Sequence, residues 1–218
     1  HTRWATHGQV TDKNAHPFIS NNGKIAVVHN GIIENFQTLR AKLQKDGIKF
    51  TSETDSETIP NLIQQNYNGN LLKAVQEALR QVIGTYALAV TCVDEPNKIV
   101  VAKRGGPLVI GIADGAYYIA SDVNAIVGNT SRVIYLEDGD IVEVKPYGLE
   151  FPEIQNNDYA KRVEEITINA EETEKCGFDT YMEKEINEQP ESIQRAFAGR
   201  IDLENLTARL SGFDDEIF

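Results

Sequence analysis

Residues 85–122 read "TYALAVTCVDEPNKIVVAKRGGPLVIGIADGAYYIASD", and this stretch decides the fold class. It holds four short runs rich in β-branched and aromatic residues, separated by Glu-Pro-Asn, Gly-Gly-Pro and Asp-Gly. Short runs of that composition, broken by turn residues, predict consecutive antiparallel strands with tight connections. Two further runs, in "RVIYLEDGDIVEV" (132–144) and "YGLEFPEI" (147–154), continue the pattern, the first with an Asp-Gly turn between its apolar halves. A short apolar helix candidate, "VNAIVG" (123–128), lies before them.

Upstream of the strands the period changes. "GKIAVVHNGIIENFQTLRAKLQKDG" (23–47) predicts a strand, an Asn-Gly turn and then a helix with Ile33, Phe36, Leu39 and Leu43 on its apolar face, ended by Gly47. "SETDSETIPNLIQQNY" (52–67) opens with capping residues and carries Pro60 early, which suits a second helix. Leu72, Val75, Leu79 and Val82 recur at helical spacing and predict a third. Helices grouped together and strands grouped together imply an α+β layered domain and argue against a parallel βαβ fold. Alternation fades after about residue 155, so the body is placed at 1–155 and an extension at 156–218, with a helix in "TYMEKEINEQPESIQRAFAGR" (180–200) expected to break at Pro190.

Composition narrows the function. The 218 residues carry a formal net charge of −12, which gives no basic footprint for nucleic acid or anionic membranes as partners. Carboxylates concentrate after about residue 150, as on a solvated face. The two cysteines, Cys92 and Cys176, lie far apart without CxxC spacing, which predicts neither a disulfide framework nor structural zinc and fits a reducing cytoplasm. No apolar run reaches the length of a membrane span, and the start lacks a secretory-signal pattern.

All four histidines, His1, His7, His16 and His29, fall in the first 29 residues, yet none is paired at a metal-ligand spacing, so no metal and no cofactor are expected. In "HTRWATHG" (1–8) an extended backbone would place His1, Arg3, Ala5 and His7 on one side and Thr2, Trp4 and Thr6 on the other. Arg3 is suited to a carboxylate, because its planar fork makes two parallel hydrogen bonds, and equally to a salt bridge at a domain edge. Asn30-Gly31 offers a side-chain amide beside main-chain N–H groups, as an oxyanion needs, or an ordinary turn. Asp55 could meet an ammonium or cap a helix. Together the three describe a pocket for a free amino acid undergoing acyl transfer.

"HTRWATHG", "NAHP" (14–17), "VVHNGIIEN" (27–35), "SETDSE" (52–57), "GTYALAV" (84–90), "GPLVIG" (106–111), "IASD" (119–122), "LEDGD" (136–140) and "YMEKEINEQP" (181–190) follow one another in order. Together they closely resemble the glutaminase domain of the glucosamine-6-phosphate synthases, the glutamine:fructose-6-phosphate amidotransferases. The resemblance implies an N-terminal-nucleophile hydrolase with a four-layer αββα sandwich. In that family an amino-terminal cysteine attacks the glutamine amide and its own α-amine serves as general base.

Carried over, the resemblance implies that Arg3 holds the α-carboxylate of L-glutamine and Asp55 its α-ammonium. Thr6 and His7 would line the site, Asn30 and Gly31 would form the oxyanion hole, and Trp4 would ride a loop that closes over glutamine. His16 matches "NAHP" without an assigned role. The nucleophilic cysteine is absent from these 218 residues, so the chain is expected to be incomplete at its N-terminus and inactive by itself. Fructose 6-phosphate would be engaged only through sugar-isomerase domains beyond Phe218, in a parent enzyme expected to be a cytoplasmic homodimer. Two other readings stand beside this one: a non-catalytic glutamine-binding or regulatory module, and a related amidotransferase with another acceptor.

Overall fold

A computed structural model of the protein describes residues 8–152, 158–166, 175, 177–197, 201–202 and 207–208. The chain divides into two compact units, His1–Thr167 and Ile168–Phe218. The first unit contains β1 (Phe18–Ile19), β2 (Ile25–Ile33), α1 (Phe36–Lys45), α2 (Thr58–Asn66), α3 (Leu71–Leu79), β3 (Gly84–Cys92) and β4 (Ile99–Arg104). It continues with β5 (Val109–Ala113), β6 (Ala116–Ala120), β7 (Arg132–Tyr135), β8 (Ile141–Lys145), β9 (Gly148–Glu150) and β10 (Glu164–Glu165). Described in the second unit are α4 (Tyr181–Phe197) and the short pair β11 (Ile201–Asp202) and β12 (Thr207–Ala208).

The strands of the first unit form two antiparallel sheets. One has the order β1-β2-β3-β4-β8-β9, the other β10-β7-β5-β6. The chain therefore leaves the first sheet after β4, builds the second with β5 to β7, and returns with β8. The Asp138-Gly139 turn, expected between two apolar runs, carries the chain from one sheet to the other. Local sequence gives the turn, but which sheet receives β8 is decided by its pairing with β4, as in Val101↔Val142.

Among the described residues of the first unit, three of the four layers that the resemblance implies can be traced, the helices and the two sheets, and they follow from the two faces of each strand. Ile25, Val27 and Ile33 of β2, Leu88 and Val90 of β3, and Val100 and Ala102 of β4 belong to one buried cluster with Leu39, Ile59, Leu62, Ile63, Leu71, Ala74, Val75 and Ala78. That cluster joins α1 to α3 to the first sheet. From the other face, Ala87, Val101 and Val142 pack with Leu108, Ile110, Ile134 and Leu136 to fill the space between the sheets. Val109 and Val133 of the second sheet pack with Ile126, and Ile166 lies against them. Ile126 follows a 3-10 turn at Val123–Ala125, which stands where an apolar helix was expected. Burying each large aliphatic side chain contributes about 1.5–3 kcal/mol, so these clusters dominate the stability of the unit.

The helices begin and end for local reasons. Asn70 caps α3, its Oδ1 accepting the Lys73 N–H at 3.0 Å, and Val82 is buried just beyond the helix end. At the end of α1 the Ile48 N–H reaches the Leu43 carbonyl at 3.0 Å, with Gly47 at φ +86°, a closure that requires a left-handed residue. Ile33, expected on the apolar face of α1, is the last residue of β2, where it pairs with Gly84 and is fully buried. Pro190 does not break α4, which is continuous from Tyr181 to Phe197. A proline deletes one backbone donor, and a helix of this length retains its other bonds.

Candidate active site

β2 does not turn at Asn30-Gly31. It runs straight through, with Asn30 opposite Ala87 and Gly31 opposite Tyr86 of β3. Gly31 makes this close pairing sterically allowed. At φ +142° it holds a backbone conformation that L residues rarely adopt, and a Cβ there would sit 2.3 Å from the Thr85 carbonyl oxygen. Gly105 and Gly106 bring a second backbone alongside: a Cβ on Gly105 would overlap the Thr85 methyl at 2.6 Å, and one on Gly106 would lie 3.9 Å from the Asn30 carbonyl oxygen. Asn30 itself is exposed.

His29, the residue before, is buried on the opposite face. Its Nδ1 lies 2.7 Å from Ser56 Oγ and its Nε2 lies 3.4 Å from the Thr85 carbonyl oxygen. Its backbone N–H donates to His16 Nδ1 at 3.3 Å, which gives His16 of "NAHP" a part in holding β2. Burial pushes the His29 pKa below its ordinary value, opposed by the Asp55 charge and the Thr85 carbonyl. The imidazole is therefore neutral at pH 7.

The second stretch is "SETDSE". Asp55 is buried, and its side chain does not cap α2, whose first residue is preceded by Glu57 with no side-chain cap bond. Oδ2 instead accepts the Ile33 N–H of β2 at 2.8 Å, and Oδ1 lies 3.3 Å from Ser56 Oγ. The Asp55 backbone carbonyl accepts the Thr58 N–H and, at 2.6 Å, the Thr58 hydroxyl. Glu57 organises the rest of the loop. Its Oε1 accepts the Thr51 N–H and hydroxyl at 2.8 and 3.0 Å, and its Oε2 accepts the Ser52 N–H and hydroxyl, both at 2.7 Å. A buried run of hydroxyls and carboxylates is tolerable only when its members satisfy one another in this way.

The third stretch is the one that continues from "HTRWATHG". Arg3, Trp4, Thr6 and His7 lie outside the described residues. The chain that follows them is tied to the Asp55 loop. Asn14, buried, donates to the Gln9 carbonyl at 2.9 Å and accepts the Glu53 N–H at 3.0 Å, while the Gln9 N–H donates to Glu53 Oε2 at 3.3 Å. Gly8 is at φ +74°, and a Cβ on it would come within 2.8 Å of Asn14 Nδ2. Segments 8–14, 29–33 and 51–57 thus converge, although the sequence separates Asn14 from Glu53 by 39 positions.

Sequence reasoning singled out Asn30, Gly31 and Asp55, and the structure joins them through β2. It missed Asn14, Ser56 and Glu57. The signal for Ser56 and Glu57 was the density of small polar and acidic residues just before an apolar helix, and Asn14 opens the "NAHP" stretch. Cys92 is buried in β3, and Cys176 lies outside the described residues. Among the described residues no group of three or more His, Cys, Asp or Glu side chains could hold a metal ion, and no helix is long and apolar enough to cross a membrane. What the arrangement offers chemically is a fixed carboxylate, a strand with an exposed amide at Asn30, and a glycine that lets two backbones approach.

A glutamine amidotransferase domain model matches residues 1–128. The chain is 46% identical over 201 residues to the glutamine–fructose-6-phosphate aminotransferase (isomerizing) of Clostridium perfringens, covering 92% of this chain and 33% of that protein. It is 44% identical over 219 residues to the enzyme of the same name from Chlorobaculum tepidum, covering 99% of this chain and 36% of that protein. The chain therefore spans about a third of the length of these curated relatives. Among solved structures, the glutamine phosphoribosylpyrophosphate amidotransferase of B. subtilis, complexed with ADP and GMP, matches with a TM-score of 0.57 and 27% identity, covering 78% of this chain and 34% of that one. A second, described as the allosteric regulatory enzyme of purine biosynthesis, matches with a TM-score of 0.58 and 28% identity over 78% of this chain and 35% of that one. With the α+β sandwich of the N-terminal-nucleophile amidotransferases and a family match over more than half its length, the chain belongs to the glutamine amidotransferase domain family.

Proposed function

We propose that this chain is the glutaminase portion of a glutamine:fructose-6-phosphate aminotransferase, which takes the amide nitrogen of L-glutamine for glucosamine 6-phosphate synthesis. The observation that carries the reading is the 2.8 Å bond from the Ile33 N–H to Asp55 Oδ2. It fixes an anionic group to the strand that bears Asn30-Gly31, two residues away. An amino acid whose ammonium meets Asp55 would thereby have its reacting end placed by the same strand that supplies the oxyanion donors.

In this reading Arg3 pairs with the substrate carboxylate, Thr6 and His7 line the pocket, and Trp4 lies on the loop that closes over it. A thiolate adds to the side-chain amide carbon, and the resulting oxyanion is held by Asn30 and the Gly31 backbone. The thiol proton, taken up by the terminal α-amine, passes to the amide nitrogen as ammonia leaves, and water then hydrolyses the γ-glutamyl thioester to glutamate and restores the thiol. The nucleophile must be an amino-terminal cysteine, which these 218 residues do not contain. Cys92, 2% exposed at the end of β3 and carrying no free α-amine, cannot replace it. The 218 residues alone are therefore expected to release no glutamate.

Fructose 6-phosphate enters only in the complete protein, proposed to be a cytoplasmic homodimer on the strength of the family resemblance. The deciding experiment supplies that complete protein with L-glutamine and fructose 6-phosphate. Glutamate and glucosamine 6-phosphate should appear in equal amounts. Glutamine binding without turnover would make the chain a binding module, and nitrogen appearing in a different product would reassign the acceptor.

A further inference from the structure

We propose that Thr85 is a positioning residue for the oxyanion site: its hydroxyl accepts the Ile32 N–H, locks the peptide that follows Gly31, and so fixes the backbone of Asn30-Gly31. The proposal rests on the reading of Asn30-Gly31 given above.

Asn30-Gly31 needs a hold from outside. Glycine is the residue least able to keep its own φ and ψ, and at φ +142° Gly31 departs from the ordinary strand conformation. On one side Asn30 is placed by its pairing with Ala87. On the other, the Ile32 N–H donates to Thr85 Oγ1 at 3.2 Å. That hydrogen belongs to the Gly31–Ile32 peptide, so the bond sets the plane in which the chain leaves Gly31. With both neighbours held, the glycine between them has little rotation left, and its own N–H keeps one direction.

Thr85 can do this because both branches of its side chain are engaged. It lies opposite Ile32 in the β2-β3 ladder. The pair is bracketed by Gly31 and by Gly84, which at φ +128° and without a Cβ lets the Ile32 carbonyl come close. The methyl branch lies against Gly105, where a Cβ would come within 2.6 Å of it. A β-branched side chain with its methyl wedged in this way keeps one χ1 orientation, which leaves the hydroxyl aimed at β2. Gly105 is itself anchored. Its N–H donates to Asp138 Oδ1 at 2.9 Å, Lys103 Nζ donates to the same oxygen at 2.6 Å, and Gly105 forms a parallel bridge with Tyr86. Segments 30–32, 84–86 and 103–106 thus meet at one threonine, with Asp138 behind them. Thr85 is exposed, so exchanging it opens no cavity in the core and its effect on the site can be read apart from stability.

The test uses the complete protein. Thr85→Val keeps a methyl at Gly105 and deletes the acceptor. It should lower kcat for glutamine hydrolysis about tenfold with KM within about twofold, because a misaligned oxyanion donor is felt in the transition state more than in substrate binding. Its melting curve should stay close to the parent's. Thr85→Ser keeps the hydroxyl and should hold kcat within about threefold of the parent. Parental kcat in Thr85→Val, a loss expressed in KM instead, or Thr85→Ser falling as far as Thr85→Val would overturn the proposal. Independently of activity, hydrogen–deuterium exchange should show the 28–34 segment of Thr85→Val taking up about one more deuteron at early times than the parent or Thr85→Ser. Equal protection in all three would show that another group holds the Ile32 N–H, and overturns the proposal as well. A parent protein that hydrolyses no glutamine overturns the reading of Asn30-Gly31 instead, and the exchange result still decides whether Thr85 holds β2.

Discussion

The middle of β2 and the tip of the β5-β6 hairpin carry nearly the same dipeptide, and they are built on opposite principles. Asp114-Gly115 closes a two-residue hairpin between Ala113 and Ala116, with Gly115 at φ +71° and open space around the position where a Cβ would stand. Asn30-Gly31 lies inside a nine-residue strand, with Gly31 at φ +142° and the Thr85 carbonyl pressed against it. One glycine serves the local chain direction. The other serves a neighbour more than fifty residues away in sequence, and so answers to tertiary structure. The turn can tolerate change because no atom lies within 4 Å of where a Gly115 Cβ would stand, whereas the strand ties Asn30 to His29, Ser56 and Asp55.

The comparison is broken most severely by an alanine scan of the two glycines. Gly31→Ala adds a strained φ to an impossible 2.3 Å contact and should cost about 2–5 kcal/mol, visible as a loss of soluble folded protein or a large drop in urea midpoint. Gly115→Ala should cost only about 1 kcal/mol. Equal effects would mean that Gly31 occupies an ordinary turn after all. The adjacent polar residues sharpen the contrast in function. Asn30→Ala should lower kcat for glutamine hydrolysis in the complete protein about 100–1000-fold, as the loss of one oxyanion donor does. Its melting curve should be nearly unmoved, because the side chain is exposed. Asp114→Ala should leave kcat alone.

Smaller effects test the surroundings of β2. Glu57→Gln places an amide N–H₂ against either the Thr51 or the Ser52 donors. It should destabilise the fold by about 1–3 kcal/mol in urea titration, and a neutral result would show that the 51–57 loop is not held by this carboxylate. His29 gives the mildest signal. Its pKa is depressed in the fold, so below about pH 6.5 the unfolded chain binds the proton more readily than the folded one. Stability should therefore fall on acidification through that range, by up to about 1.4 kcal/mol per pH unit. Stability measured between pH 7.5 and 5.5 should slope less steeply in His29→Gln than in the parent; parallel slopes would show that the imidazole is not buried as a neutral base.

The strand runs, the helix order and the α+β class were legible because they depend on periodicity within ten or fifteen residues. Gly47 ending α1 and Asp114-Gly115 closing a hairpin were equally legible, since each acts on the chain beside it. Asn30-Gly31 was misread as a turn for the same reason. Nothing in residues near it announces that Thr85 will lie opposite. Asn14 and Ser56 escaped notice because their partners, Glu53 and His29, lie on other segments, and Glu57, which holds Thr51 and Ser52 of its own loop, because a short polar run before a helix looks first like a cap. Asp55 was chosen for its chemistry, while its actual attachment, a backbone N–H on a different element, leaves no trace in local sequence. Pro190 shows the reverse error, in which a strong local rule yields to a long helix.

The excursion of the chain between the two sheets has a consequence for how the molecule is made. Its ends are clasped: the Gly139 N–H donates to the Lys103 carbonyl at 2.9 Å, the Lys103 N–H donates to the Asp140 carbonyl at 3.1 Å, and Lys103 Nζ pairs with Asp138 at 2.6 Å. β8 can reach β4 only when the whole intervening stretch has closed on itself, which costs loop entropy before any pairing repays it. During synthesis the helices and β2 to β4 emerge first and must wait for β8, so the nascent first sheet keeps β4 as an open edge until then. Folding of this unit should be slow for its size, and its most aggregation-prone moment falls after Arg104 has left the ribosome and before Lys145 has.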